Sequence, residues 1–290
     1  MPELPEVETI RRDLLPALRN KKVVSVDVFH AAPIKDGEKK FKAALHNKII
    51  KNIERVGKLL MFELSDGNFL LIHLKMTGQL IYKKHKQILA GGHSFSTFDA
   101  GKLPDKYTWV RFGLQDGAAV YFNDMRKFGY LKIATPEQKA KIVSAYGIEP
   151  LTPQFTFERF NDLLEKRNAP IKSVLLNQAL IAGIGNIYAD ESCFAAGIFP
   201  GLKACKMSLF EKKRLFAAIK TILKKAIKYK GTTFKNYLGA HGRKGNFSDF
   251  LRVYQKDGTI CVRCRQGEIQ SIKIAGRSSR YCPVCQKMLH

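Results

Sequence analysis

Two pairs of cysteines near the end of the chain constrain its fold more than any other feature. Cys261 and Cys264 form one C-x-x-C pair, and Cys282 and Cys285 form a second pair after seventeen intervening residues. Each pair makes a tight turn whose two sulfurs can bind one tetrahedral ion, and four thiolates leave no open position for catalysis. The spacing therefore predicts one structural Zn²⁺ in a C-terminal finger. Disulfides are the alternative, which an intracellular location would disfavour.

The charge balance of the chain indicates a polyanionic partner. Lys and Arg number 50 against 25 Asp and Glu, which gives a formal net charge of +25 over 290 residues. The basic residues are spread along a chain with 45% hydrophobic content, a pattern typical of a folded nucleic-acid binder rather than of a basic tail. We expect two or three domains, no membrane span, no secretory signal and a cytoplasmic location.

Hydrophobic periodicity divides the chain into a β-rich part and a helical part. Val7, Ile10 and Leu14 recur at helical spacing and predict a first helix. Short β-rich runs follow, and their close spacing predicts an antiparallel sandwich. The predicted strands are residues 23–29, 49–56, 58–64, 68–74, 107–114, 118–123 and 128–133. The predicted later helices are 155–167, 170–180, 186–196 and an amphipathic 208–230.

Proline at position 2 is the first candidate for chemistry. Removal of Met1 would expose its secondary amine next to the carboxylate of Glu3. An α-amino group titrates near ~7.7–8, so a useful fraction is unprotonated at neutral pH. Attack of this amine on a sugar C1′ would give an iminium. The residues alone favour the alternative, a proline that merely starts a helix with acidic residues in its first turn.

A second candidate is the run Gly183-Ile184-Gly185-Asn186 before a predicted helix. Glycines before a helix expose backbone N–H groups, and the helix N-terminus adds positive potential, so a phosphate could bind there with Asn186 as a donor. A plain helix-turn-helix connection would use the same glycines. The segment by itself supports both interpretations equally.

Six segments in order carry a resemblance to a known family. They are residues 1–9, 55–58, 73–78 and 124–129, the Gly-x-Gly-Asn run and the cysteine finger. Together they resemble the formamidopyrimidine-DNA glycosylase family, which also includes endonuclease VIII. The resemblance implies an α+β fold with an N-terminal antiparallel β-sandwich, a helix-two-turn-helix domain and a C-terminal zinc finger. The expected domains are 1–134 (catalytic), 150–235 (DNA-binding) and 236–290 (lesion loop and finger), with DNA held between the two halves.

The resemblance assigns catalytic roles to four residues. Pro2 is implied to attack C1′ of the damaged nucleotide, and Glu3 to be the acid that helps the sugar ring open. Lys58 is implied to reach the damaged nucleotide or its phosphate, although a solvated strand-end lysine would look the same. Arg277 matches the phosphate-binding arginine of the finger, where a guanidinium fork suits a phosphate; a nonspecific basic tip is the alternative.

DNA-contacting roles also follow from the resemblance. A glycosylase must take the base out of the stack, and something must fill the hole. Met76, Arg126 and Phe128 match the family's void-filling residues, although Met76 and Phe128 could be strand core. The residues that match backbone contacts are His73, Arg167, Lys172 and Asn186. Tyr107 and Trp109 stand where relatives often carry histidines, which puts one DNA contact in doubt.

The expected activity depends on which branch of the family the chain resembles. Residues 232–247 look like the loop that the formamidopyrimidine branch folds over an everted oxidised purine, although a surface loop would have the same composition. Glu6 is a weaker candidate for the lesion pocket. We expect a monomeric, nucleoid-associated bifunctional glycosylase and lyase that removes 8-oxoguanine and formamidopyrimidines from damaged double-stranded DNA, then cleaves by β,δ-elimination. The alternatives are an oxidised-pyrimidine glycosylase of the endonuclease VIII type and a noncatalytic DNA-binding zinc protein.

Overall fold

Two antiparallel sheets form the β-rich part of the chain in a computed structural model, which describes residues 1–92, 102–232 and 247–287. One sheet has the strand order β1-β7-β8-β5-β6 and the other β2-β3-β4-β9. The strands are β1 (Val23–Val28), β2 (Ile50–Val56), β3 (Leu59–Leu64), β4 (Phe69–His73), β5 (Gly78–Lys84), β6 (Gln87–Gly92), β7 (Thr108–Leu114), β8 (Ala119–Asp124) and β9 (Tyr130–Ala134).

The two sheets share one hydrophobic core, which confirms the predicted sandwich. Leu60, Phe62 and Ile72 from one sheet and Val110 and Phe122 from the other belong to the same buried cluster. The helix α1 (Leu4–Leu18) packs against β2 and β6 through its apolar stripe. The shorter helices α2 (Glu38–Leu45) and α3 (Pro136–Ser144) contact β9.

The described residues fall into two units. The first comprises Met1–Ser144 with the segment that starts at Tyr229, and the second comprises Ala145–Lys228 with the segment that starts at Phe247. The helices of the second unit are α4 (Phe157–Glu165), α5 (Ile171–Leu176), α6 (Asn186–Ala196) and α7 (Leu209–Lys228). Phe216 of α7 stacks on Phe155 at 4.9 Å between ring centroids, so an aromatic cluster holds α7 against the residues around α4.

The cysteine finger packs on α6 within the second unit. Its hairpin consists of β10 (Gln270–Ile274) and β11 (Arg277–Tyr281). Phe194 of α6 shares a small hydrophobic core with Val253 and Ile269, together with Cys261 and Cys282. The Gln286 side chain donates to the Ile198 carbonyl at 2.7 Å. The α+β class with a sandwich, a helical part and a finger therefore stands as predicted.

Several elements differ from the sequence-based expectations. The hairpin of β5 and β6 was not predicted, because its two-residue turn places His85 at φ 50° without the usual Asn or Gly signal. The helices α2 and α3 were also missed. The predicted helix 170–180 ends at Leu176, where the Asn177 side chain accepts the N–H of Ala179 and turns the backbone away from the helix.

Candidate active site and nucleic-acid interface

Pro2 and Glu3 lie at the start of α1, buried in the first unit. Glu3 is the N-cap residue of α1 and is only 1% exposed. A reciprocal capping box joins it to Glu6, whose carboxylate accepts the Glu3 backbone N–H at 2.9 Å. Met1 precedes Pro2, so the Pro2 nitrogen is an amide in this chain. The fold thus fixes the N-terminal segment, whose amine can act only once Met1 has been removed.

Glu6 is fully buried and connects α1 to the segment after α7. Its other carboxylate oxygen accepts the backbone N–H of Thr232 at 2.8 Å and the hydroxyl of Thr232 at 3.2 Å. Gly231 has φ +78°, and an added Cβ there would lie 2.5 Å from this same oxygen. Only glycine fits this approach without a shift. The structure therefore gives Glu6 a capping role; residues 233–246 of the predicted lesion loop lie outside the described residues.

Lys58 follows Gly57 in the turn between β2 and β3 and is 7% exposed. The Arg55 guanidinium donates to the Gly57 carbonyl at 3.0 Å and to a carboxylate oxygen of Glu8 in α1 at 3.1 Å. Burial tends to raise the pKa of Glu8, but hydrogen bonds from Arg11 and Arg12 and the charge of Arg55 outweigh it and lower that pKa to about 2. Glu8 therefore stays ionised and ties α1 to the turn that carries Lys58.

The roles of Glu8 and Arg55 were not predicted from the sequence. Arg55 lies in one of the segments that carry the family resemblance, and Glu8 lies in another. A carboxylate four residues before an arginine on a helix is a common surface pair, so Glu8 and Arg12 gave no distinct signal. Only the sheet, which brings Arg55 to α1, shows that the two segments form one network.

His73 ends β4 and is held as a neutral imidazole. Burial and the positive charges of Lys75 and Lys58 lower its pKa to about 3. Its Nδ1 accepts the backbone N–H of Lys75 at 3.0 Å, so the ring proton lies on Nε2. The ring packs on Tyr130 at 5.6 Å between centroids. A fixed Nε2–H donor is suited to the predicted contact with a DNA phosphate.

The three predicted void-filling residues lie on two neighbouring loops of the sandwich. Met76 is half-buried in the turn between β4 and β5, and Arg126 and Phe128 are exposed between β8 and β9. The Phe128 ring is 53% exposed, and the Arg126 guanidinium lies over it at 4.8 Å from the centroid. Neither Met76 nor Phe128 is a core residue. A large exposed ring paired with a cation can replace base stacking.

Trp109, one of the two residues expected to put a DNA contact in doubt, is a core residue in this structure. Its side chain is buried, and the indole N–H donates to the Asp124 carbonyl at 2.8 Å. The Lys127 ammonium lies over its ring at 5.6 Å. The Trp109 side chain thus supports, from the core side, the loop that carries Arg126 and Phe128.

In the second unit, Asn186 begins α6 after the glycine run. Gln178 holds the preceding turn, because its side chain donates to the Ile184 carbonyl at 2.8 Å and accepts the Gly183 N–H at 2.8 Å. The Asn186 amide donates to the Ser278 carbonyl at 3.2 Å. The start of α6 is therefore joined to β11 of the finger, next to Arg277. Arg277 itself is exposed and follows a tight turn at Gly276.

Lys172, expected from the resemblance to contact the DNA backbone, has a different environment in the structure. Its side chain is fully buried, and its ammonium bonds Asp190 at 2.6 Å and the Ser278 carbonyl at 2.8 Å. A group without solvent exposure does not reach a phosphate in this conformation, so the structure places Lys172 inside the protein. Arg167 is half-buried, and its guanidinium donates to the Lys166 carbonyl.

The four cysteines of the two C-x-x-C pairs converge on one point. Their sulfurs lie within 4.8 Å of one another, with Cys261 to Cys285 at 3.8 Å and Cys264 to Cys282 at 3.7 Å. A tetrahedral ion with metal–sulfur bonds of about 2.3 Å spaces its sulfurs by about 3.8 Å. The Gly267 and Gln266 N–H groups lower the pKa of Cys264 to about 6, which favours a thiolate. The four cysteines could hold one metal ion.

Comparisons with known proteins decide the family. A model described as the formamidopyrimidine-DNA glycosylase N-terminal domain matches residues 1–131, and one described as the formamidopyrimidine-DNA glycosylase H2TH domain matches residues 146–237. This chain belongs to the formamidopyrimidine-DNA glycosylase family. Formamidopyrimidine-DNA glycosylases of Pelotomaculum thermopropionicum and Carboxydothermus hydrogenoformans are each 39% identical to it, over 99% of this chain and 100% of the relative.

Solved structures of the family agree with this fold. The Lactococcus lactis Fpg in complex with DNA that contains an abasic site has a TM-score of 0.84 at 33% identity, and a complex of that protein with Fapy-dG DNA has a TM-score of 0.83 at 33%. Both comparisons cover 99% of this chain and 100% of the other. The chain is therefore a DNA repair glycosylase of the Fpg family. Among the described residues, no helix combines the length and apolarity needed to cross a membrane.

Proposed function

We propose that this Fpg-family chain excises 8-oxoguanine and formamidopyrimidines from damaged double-stranded DNA and then cleaves the resulting abasic strand. The observation that carries the proposal is the placement of Pro2 and Glu3 at the capped start of α1. The solved complexes of the Lactococcus lactis protein with abasic-site DNA and with Fapy-dG DNA support the choice of substrate. We further propose that it acts as a cytoplasmic, nucleoid-associated monomer.

Covalent catalysis by Pro2 is the chemical core of the proposal. After removal of Met1, the secondary amine attacks C1′, the bond from C1′ to the base breaks, and the proton released from the amine nitrogen goes to the leaving base. Glu3 donates a proton as the sugar ring opens, which leaves an iminium between Pro2 and the deoxyribose. The iminium acidifies C2′, so loss of a proton there expels the 3′ phosphate, and a second elimination expels the 5′ phosphate.

The other predicted site residues bind and orient the DNA. Lys58 contacts the damaged nucleotide or its phosphate, and His73 donates through Nε2–H to the backbone. Asn186, Arg167 and Arg277 neutralise or hydrogen-bond further phosphates, where arginine suits bidentate contacts. Met76, Arg126 and Phe128 fill the space that the everted nucleotide leaves.

One structural Zn²⁺ would be held by the four cysteines. A closed tetrathiolate site supplies folding free energy to the finger and takes no part in the reaction. The finger in turn presents Arg277 at the start of β11.

Borohydride trapping tests the proposal directly. We expect the protein, with loss of Met1 verified by mass spectrometry, to form a reduced covalent adduct with an 8-oxoguanine duplex. Pro2→Gly should greatly reduce the adduct and base excision while duplex binding persists. Pro5→Ala, which changes a proline in the first turn of α1 three residues after Pro2, is the matched control and should retain the adduct. Absence of an adduct with the processed wild-type protein would refute the mechanism, and a preference for thymine glycol over 8-oxoguanine would refute the proposed substrate.

A further inference from the structure

Two loops cross from one sheet of the sandwich to the other at the same end. One joins β4 to β5 and contains Met76, and the other joins β8 to β9 and contains Arg126 and Phe128. Their flanking strands are paired in both sheets, with His73 opposite Tyr130 and Gly78 opposite Asp124. The two loops therefore run side by side over the same rim of the sandwich.

A single buried carboxylate binds both loops. Asp124, the last residue of β8, is 1% exposed. One of its oxygens accepts the hydroxyl of Thr77, the residue after Met76, and the N–H of Arg126 at 3.1 Å. Its other oxygen accepts the N–H groups of Phe128 at 2.9 Å and Gly129 at 2.6 Å. Four donors thus satisfy a carboxylate that burial would otherwise penalise.

The geometry around Asp124 leaves little room for another arrangement. A Cβ at Gly129 would lie 2.7 Å from the Phe122 ring and 3.0 Å from the Asp124 carboxylate, so this close approach requires glycine. Lys127 has φ 62°, a left-handed conformation that the surrounding hydrogen bonds must hold. From the core side, the Trp109 indole fixes the Asp124 backbone carbonyl.

We propose that Asp124 is a positioning residue that joins Met76, Arg126 and Phe128 into one preorganised wedge. Asp124 itself does not touch DNA, because its side chain is buried beneath the loops. The inference rests on the proposed function, in which these three side chains fill the space of the everted nucleotide. A wedge that is already ordered does not lose conformational entropy when it enters the stack. Asp124 then controls base eversion rather than the bond-breaking steps.

The test separates eversion from chemistry. Asp124→Asn keeps the shape of the side chain but turns one oxygen into an NH₂ group. In one orientation this group faces the N–H groups of Phe128 and Gly129, and both of those hydrogen bonds are lost. In the other orientation it faces the Arg126 N–H, whose bond is lost, and the Thr77 hydroxyl, which can rotate to accept. Thr77→Val removes the hydroxyl that donates to Asp124 and accepts the Arg126 N–H at 2.9 Å, so it weakens the connection between the two loops but leaves the Phe128 and Gly129 bonds in place. Thr77→Ser restores the hydroxyl. Asp66→Asn is the matched control, because Asp66 also accepts a backbone N–H in a turn of the same sandwich.

Four measurements are made on each variant. Fluorescence of 2-aminopurine beside an 8-oxoguanine reports unstacking in a duplex, and single-turnover excision from that duplex reports the whole reaction. Borohydride trapping on a single-stranded oligonucleotide with an abasic site reports Pro2 chemistry without a stack to open. Thermal melting shows whether each variant is folded.

We expect Asp124→Asn to slow both the fluorescence change and duplex excision about tenfold, since removing bonds to a buried charged acceptor is costly. Trapping on the single strand should be unchanged, and Asp66→Asn should match the wild type throughout. If Asp124→Asn has the same ratio of duplex excision to single-strand trapping as the wild type, the positioning role is overturned. If Asp124→Asn does not fold, the same ratio for Thr77→Val, with rescue by Thr77→Ser, decides the question. Absence of trapping with the wild type would instead refute the proposed function.

Discussion

The ammonium nitrogen of Lys172 lies 2.6 Å from a carboxylate oxygen of Asp190, and neither side chain is exposed. Lys172 comes from α5 and Asp190 from α6, and both also bind β11, through the Ser278 carbonyl and the Arg280 N–H. Burial raises the pKa of Asp190 to about 6 and lowers that of Lys172, each against the pull of its partner. This ion pair joins the two helices to the strand that begins with Arg277.

Loss of this pair should destabilise the second unit. Lys172→Ala leaves the Asp190 carboxylate buried without its cation, which typically costs about 3–5 kcal/mol. Urea unfolding measures the change in the free energy of unfolding. Lys224→Ala, at an exposed lysine of α7, is the control and should change that free energy by less than about 0.5 kcal/mol. Equal small effects of the two substitutions would contradict the structural role of the pair.

The neutral state of His73 predicts a pH dependence of stability. Its pKa is about 3 in the folded protein and near the ordinary 6.5 when unfolded, so the unfolded chain binds more protons between these values. The contribution of His73 to stability is therefore present above pH 6.5 and is lost as the pH falls toward 3. Urea unfolding at several pH values should show that the free energy of unfolding of His73→Gln declines less steeply with falling pH than that of the wild type. His46→Gln, at an exposed histidine, should leave the decline as it is in the wild type.

Arg277 should contribute one phosphate contact that does not depend on sequence. Arg277→Ala is expected to weaken binding to damaged and undamaged duplexes alike and to reduce the salt slope of log affinity by about one unit. Fluorescence anisotropy over a range of salt concentrations gives this slope. The control is Arg265→Ala, which removes another exposed arginine of the finger, located between Cys264 and the hairpin in sequence. A slope unchanged by Arg277→Ala would exclude the predicted contact.

The cysteine cluster predicts that metal and finger structure are lost together. Cys261→Ser should release zinc and unfold the finger, because a structural ion supplies folding free energy directly. Metal analysis and protease sensitivity of the residues after 247 measure the two effects. Cys205→Ser, outside the cluster, should keep both the zinc content and the protease resistance. Full zinc content in Cys261→Ser would contradict the assignment.

Local patterns predicted a large part of the fold and less of the site. The helix at Asn186–Ala196 matches its predicted bounds because glycines flank an unbroken helical stretch. The cysteine cluster also formed as expected, since short spacing fixes its geometry. Lys172 was expected from the resemblance to contact the DNA backbone, and its burial was not foreseen because its partner, Asp190, lies on another helix and the sequence around Lys172 carries no sign of the pair. The roles of Asp124, Glu8 and Arg55 depend on strand pairing and helix packing, which join residues distant in the sequence.

The close approach of Gly231 to the Glu6 carboxylate has a consequence for inherited variation. A serine at this codon would leave every candidate catalytic and DNA-contacting side chain in place, yet its Cβ would displace the carboxylate that holds the first turn of α1. A comparison limited to active-site residues would not detect this allele. Under the proposed function its phenotype would be that of a mutator, because the oxidised bases that the protein excises would persist through replication.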